Sequence, residues 1–207
     1  RREAGDRFAA AVSAELAHLA MGSARVLVEL TRQPDENGLV LPGVPGRWRF
    51  TRDGVDEVDI QLEAGSGALA RSVTKGASGG ELSRVMLAIE LVSASTSGRT
   101  VPTMVFDEVD AGVGGKAAVD VAARLAALAR HTQVVVVTHL AQVAAFADTH
   151  LVVEKNDDGT VVASTVRVVS EEARLDELAR MMSGAVSEVS RRHAAELLQV
   201  AARRAAH

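Results

Sequence analysis

Apolar residues recur at spacings of three and four over residues 7–21, with Phe8, Val12, Leu16 and Leu19 on one side, which predicts an amphipathic helix. A helix so near residue 1 is expected to be the end of something longer, such as a coiled coil, although the stretch is too short to establish heptads. Residues 25–30 predict a strand. Residues 33–46 hold three of the four prolines and predict a loop or insertion. Alternation at 48–50 and 57–62 predicts further strands, the second ending at a flexible break, Ala64-Gly65-Ser66-Gly67. From 79 to 95 the pattern turns helical, with Leu82, Val85, Met86, Ile89 and Val92 on one face. Residues 102–106 form a short, wholly apolar run, expected to be a strand buried on both faces. An alanine-rich helix is expected over 117–129 and a second buried strand over 133–137. Strand, helix, strand at this spacing is a βαβ unit with parallel strands and a right-handed crossover. Both strands carry polar residues just past their carboxyl ends, Asp107-Glu108 and Thr138-His139, and ligands of open α/β sheets bind at that edge. Strands at 151–154 and 161–169 flank Asn156-Asp157-Asp158-Gly159, a hairpin signal. Ser170 is expected to cap a helix that ends near Gly184, and a last helix spans 186–204.

Composition narrows the function classes. The chain has 207 residues, long enough to bury a substantial core as one domain or two. Aromatics are 2% of residues, so the core is built from Val, Leu and Ala and base-stacking platforms for single strands are disfavoured. A net charge of −4 argues against a generally basic surface that coats nucleic acid. Without cysteine there are neither disulfides nor thiolate metal sites. No apolar stretch approaches the roughly 20 residues that span a bilayer.

The chemistry concentrates in three short motifs. A carboxylate at the tip of a strand such as Asp107 can hold Mg²⁺, while its neighbour Glu108 orients and deprotonates a water. Alone, the pair marks a strand end just as well. Ser78-Gly79-Gly80-Glu81 opens a helix, where backbone N–H groups and the helix dipole favour an anion. Alone it also reads as a serine cap with flexible glycines. His139 follows the second strand and can hydrogen-bond a terminal phosphate or the attacking water, although a lone histidine there is more often structural. The six histidines lack zinc-site spacing. Gly112-Val113-Gly114-Gly115-Lys116 is not a phosphate loop: Lys116 is followed by Ala117, and the segment lies after the acidic pair instead of before it. No G-x-x-x-x-G-K-[ST] loop precedes the motifs, and with no initiator Met at Arg1 a fragment is expected.

Order and spacing together are specific where each motif is not. Lys75-Gly-Ala-Ser-Gly-Gly-Glu-Leu-Ser-Arg84 resembles the signature motif of ABC-type ATPases, and its Glu-Leu-Ser-Arg extension that of the bacterial RecN DNA repair family. Thr103 to Gly115 resembles that family's Walker B and D-loop, and Thr138 to Ala145 its switch-histidine segment. Similarity extends through Leu151 to Lys155 and Ser170 to Met182. The resemblance implies the C-terminal lobe of an ABC/SMC-like P-loop NTPase head, an α/β fold with a mostly parallel sheet, flanking helices and a β-hairpin. Residues 1–21 would be the end of a coiled coil leading into the lobe, and 22–207 the lobe itself. It also implies ATP and Mg²⁺ as cofactors, with Asp107 on Mg²⁺, Glu108 polarising water and His139 sensing the γ-phosphate. Ser78, Gly79, Gly80 and Glu81 would contact the nucleotide held by a second head, and Asp110 and Gly112 would lie in the D-loop at the dimer interface. The implied partners are the chain's own N-terminal lobe with the Walker A loop, a second head in a homodimer, and DNA, with no membrane. The implied setting is the cytoplasm, at the nucleoid, in double-strand break repair and recombination. The segment alone is expected to be inactive for want of the Walker A loop. Transporter motor subunits commonly follow the acidic pair with Pro, where this chain has Val109, which disfavours that class. The alternative is a non-catalytic SMC-like module for dimerisation or DNA tethering. Two departures from the family are Ala141, where Pro is usual, and Gly76, where Val is common.

Overall fold

The computed structural model describes residues 1–76, 78–97, 101–157 and 162–205. They fall into two compact units, Arg1–Ser78 and Gly79–His207, each with its own core. The first helix, α1 (Arg2–His18), packs on the first strand instead of standing apart.

In the first unit, β1 (Arg25–Thr31) pairs antiparallel with a later strand in a sheet that α1 covers on one side. Val12, Leu16 and Leu19 have no solvent exposure, as the three-and-four spacing predicts. Ser13 fixes the contact: its hydroxyl donates to the Ala9 carbonyl at 2.7 Å and accepts the Val26 N–H at 2.9 Å. Residues 33–46, expected as a loop, form a hairpin of β2 (Pro34–Leu41) and β3 (Val44–Trp48). The prolines mislead because they occupy places a two-stranded ribbon tolerates: Pro34 starts a strand and Pro42-Gly43 makes the turn, while the pairing is irregular elsewhere. The strand expected at 48–50 ends at Trp48. β4 (Glu57–Glu63) lies between β1 and the short β5 (Arg71–Ser72). On the outer face Gln61 donates to Glu29 and, at 3.2 Å, to Asp59, so polar pairs line the side away from α1. A single turn, α2 (Val73–Gly76), follows.

The second unit opens with α3 (Gly79–Ser97). Its buried side is Arg84, Val85, Leu87, Ala88 and Val92, while Leu82 and Met86 are exposed. The helix is apolar nearly all round, so periodicity alone misjudges its facing; contact with α4 and β6 decides it. β6 (Thr103–Asp107), α4 (Gly115–Ala129) and β7 (Gln133–Val137) are the expected βαβ unit, with parallel strands in continuous register from Thr103↔Gln133 to Asp107↔Val137. The α/β class stands, but among the described residues this is the one parallel pairing, and the other sheets are antiparallel. The two-residue turn between β2 and β3 allows nothing else there. The expected burial on both faces is also corrected. Met104 and Phe106 are buried, whereas Val105 is 68% exposed and Val137 57%. Helices cover the side of Met104 and Phe106, and Asp107 shares the open side with Val105, Val135 and Val137.

Beyond a short α5 (Ala141–Ala144), β8 (Leu151–Asp157) pairs with β9 (Val162–Val168). Asn156 and Asp157 of the hairpin signal extend β8; Asp158 and Gly159 lie outside the described residues. Helices α6 (Glu171–Ser183) and α7 (Glu188–Ala205) close the unit. Ser170 stands at the N-cap position without a side-chain cap bond, and Gly184 ends the helix as expected. With Ala141, Ala144 and Ala145 of the α5 region, the inner residues Leu178, Ala179, Ala194 and Ala201 make a small-residue core. The Arg204 guanidinium meets Asp120 at 2.6 Å, tying α7 to α4.

Arg174 closes this layer by donating to the carbonyls of Ala144, Ala145 and Ala147 at 3.2, 3.0 and 2.6 Å. Beside it, burial lowers the proton affinity of His150 below the ordinary histidine value of 6.5; the Arg174 charge acts the same way and Glu177 opposes both. The unfolded chain therefore binds the His150 proton more readily than the folded one. Its contribution to stability is complete above pH 6.5 and is lost as pH falls toward the lowered value. Unfolding by denaturant from about pH 7.5 down to about pH 5 should show declining stability, and His150→Gln should flatten that decline. An unchanged slope in the variant would assign the decline to other groups.

Candidate functional site

The parallel register of β6 and β7 sets the site. Asp107 pairs with Val137, so Glu108 and Thr138 are the first residues beyond the two strand ends. Immediately after Asp107 the backbone turns sharply, because Glu108 adopts a left-handed conformation with φ 56°. A side chain at such a φ costs roughly 1–2 kcal/mol, and strain of this kind collects at functional sites. Two turns follow, closed by Ala111 N–H donating to Glu108 O at 2.9 Å and Val113 N–H to Asp110 O at 3.2 Å. Gly112, exposed and at φ 74°, supplies the left-handed residue that lets the loop reverse toward α4.

Asp110 joins the two strand ends. Its carboxylate is buried, accepts the Thr138 hydroxyl and lies 3.6 Å from His139 Nδ1. Thr138 in turn accepts the Leu140 N–H at 3.0 Å. The His139 ring is 77% exposed, with Nδ1 on the side toward Asp110. Asp110 is thus engaged within its own unit, and Gly112 is exposed.

The start of α3 meets this loop from the side. A Cβ on Gly79 would stand 2.8 Å from Glu108 Oε2, which puts the carboxylate against the first residue of the helix. A Cβ on Gly80 would meet Ala111 Cβ at 2.8 Å and Glu108 O at 3.0 Å, so the close approach of helix and loop requires glycine there. Glu81 is in the first turn of α3, and Ser78 is the last residue of the first unit. The structure therefore gathers Asp107, Glu108, Asp110, His139, Gly79 and Gly80 at one end of the second unit.

Two residues in the quoted motifs carry contacts that sequence reasoning left without a role. Ser83 Oγ donates to Asp107 O at 2.8 Å, and buried Arg84 donates to Ala111 O at 2.7 Å and Val109 O at 3.4 Å.

Among the described residues no three His, Asp or Glu side chains converge on a metal position. Asp107 nevertheless fits Mg²⁺, which takes one or two protein carboxylates and fills its octahedron with water and phosphate oxygens. No helix of the described residues is long and apolar enough to cross a membrane.

The left-handed Glu108 gives a direct check. Glu108→Gly should raise stability by roughly 0.5–1 kcal/mol over Glu108→Gln, the released strain less the extra backbone entropy of glycine. Equal denaturation midpoints for the two variants would remove the strain.

No protein-family model matches the chain. The chain is 56% identical over 202 residues to the DNA repair protein RecN of Streptomyces coelicolor, covering 97% of this chain and 35% of that protein. RecN of Mycobacterium leprae is 49% identical over 209 residues, and RecN of Treponema pallidum 39% over 204, with 35% and 34% of their lengths covered. A solved Smc head domain with a coiled coil and joint, from Pyrococcus yayanosii, superposes with a TM-score of 0.56 at 22% identity, over 86% of this chain and 29% of that one. That likeness establishes the fold alone. The chain spans about a third of the length of the curated relatives it matches. Over that shared segment the chain is homologous to these RecN proteins and fits their C-terminal part.

Proposed function

We propose that this chain is the signature and Walker B part of an ATPase head acting in DNA double-strand break repair and recombination. The observation that carries the proposal is the convergence of Glu108, Asp107 and His139 at the ends of two parallel strands, with the glycine start of α3 against Glu108. Phosphoryl transfer asks mainly for positioning and charge stabilisation, and these groups supply both.

Each residue has a distinct task. Asp107 would hold Mg²⁺ at the edge of the sheet, and the bound ion would supply charge neutralisation to the phosphates. Glu108 orients the attacking water and accepts its proton. His139 presents its free nitrogen to the terminal phosphate, and Asp110 fixes the ring from the other side. Ser78, Gly79, Gly80 and Glu81 contact a nucleotide held by a second head, with Gly112 in the D-loop between the two. The phosphate loop comes from the N-terminal lobe of the same polypeptide. The further partners are the second head and DNA, at the nucleoid of the cytoplasm.

In the full-length protein, Glu108→Gln should slow ATP hydrolysis by about 100-fold or more while leaving ATP affinity within about twofold. Unchanged turnover would take Glu108 out of its role. Nucleotide-dependent dimerisation with no hydrolysis by the unaltered protein would favour the tethering module instead. The 207-residue segment by itself should hydrolyse no ATP, and robust magnesium-dependent turnover by it would overturn the division of the site between lobes.

A further inference from the structure

The segment that carries Glu108 is tied to α3 by three side-chain hydrogen bonds, besides the bond from Thr138 to Asp110 across the strand ends. Ser83 grips the Asp107 carbonyl at 2.8 Å, and Arg84 Nη1 grips those of Val109 and Ala111 at 3.4 and 2.7 Å. The Glu108 carbonyl lies against Gly80, where a Cβ would come within 3.0 Å of it. Four carbonyls between Asp107 and Ala111 thus face α3. Arg84 is 7% exposed, and the carbonyls it satisfies are where its buried charge finds compensation. Burial draws its proton affinity below the ordinary value, and Glu81, one turn earlier on α3, acts against that.

We propose that Arg84 is a positioning residue for Glu108, locking residues 107–111 to α3 so that the carboxylate keeps one geometry relative to the glycine end of that helix. The inference rests on the proposed ATPase function. Its consequence is regulatory. Whatever engages Gly79 and Gly80 is felt at Glu108 through a shared rigid body, and a loosened loop would leave nucleotide bound but poorly hydrolysed. A planar guanidinium with several donors suits two carbonyls better than the point charge of lysine.

The test uses the full-length protein and a double-mutant cycle between Arg84→Met and Glu108→Gln, read by ATP affinity, KM and single-turnover hydrolysis. Arg84→Met should lower kcat by about 10- to 100-fold, as displacement of a catalytic group by about 1 Å does, with ATP affinity and KM within about twofold. Arg84→Lys should recover part of the loss. In the Glu108→Gln background, Arg84→Met should lower the residual rate by less than about twofold, because the group it positions is already gone. A kcat retained in Arg84→Met would overturn the proposal. So would a loss of the same size in both backgrounds, or ATP affinity falling in step with kcat, either of which marks a general structural role. If Arg84→Met does not fold, the same cycle with Arg84→Lys decides between these outcomes. Failure of the ATPase function would appear separately, as full activity of Glu108→Gln alone.

Discussion

Parallel pairing of β6 with β7 is the constraint on which the candidate site depends. Two parallel strands cannot be joined by a hairpin, so a crossover must return the chain, and α4 is that crossover. The consequence is that both carboxyl ends emerge at the same edge. Asp107 opposite Val137 then makes Glu108 and Thr138 neighbours, and a buried Asp110 bonded to Thr138 joins the tips. Shifting the register by one residue would turn Asp107 to the covered face and Phe106 to the open one.

Two arginines, Arg84 buried and Arg174 half-buried, do similar work in two places. Arg84 collects carbonyls from the loop after β6, and Arg174 collects three from the end of the four-residue α5 and the residues after it. Each segment is too short or too sharply turned to satisfy its own backbone, and an unpaired buried carbonyl is costly. With aromatics at 2% of the chain, packing relies on Ala, Val and Leu, and close backbone approach becomes ordinary. Gly80 against Ala111 is the tightest example near the site.

Where a residue's environment was local, the sequence was a good guide. The strand at Gln133–Val137, the close of α6 at Gly184, and the strand-end positions of Asp107 and His139 all follow from short-range pattern. Where the environment was long-range, pattern misled. Nothing local distinguishes Val105, two-thirds exposed, from buried Met104 and Phe106; that depends on which side the helices take. The hairpin over Pro34–Leu41 and Val44–Trp48 was hidden because proline content was read without regard to the places a ribbon allows. The contacts of Arg84 were invisible because its partners lie some 25 residues on in the chain. Left-handed Glu108 had no signal at all, since glycine is the residue expected there.

In the proposed function, the signature glycines and the acidic pair of one polypeptide serve different ATP molecules, each completed by a second head. Mixing two inactive full-length variants, Ser78→Arg and Glu108→Gln, tests this most directly. In a mixed dimer one site would carry both lesions and the other neither. ATPase activity should therefore return on mixing, to about a quarter of the unaltered rate at equal amounts with random two-fold pairing. Activity that stays at the level of the separate variants, under conditions where the two exchange partners, would contradict the account.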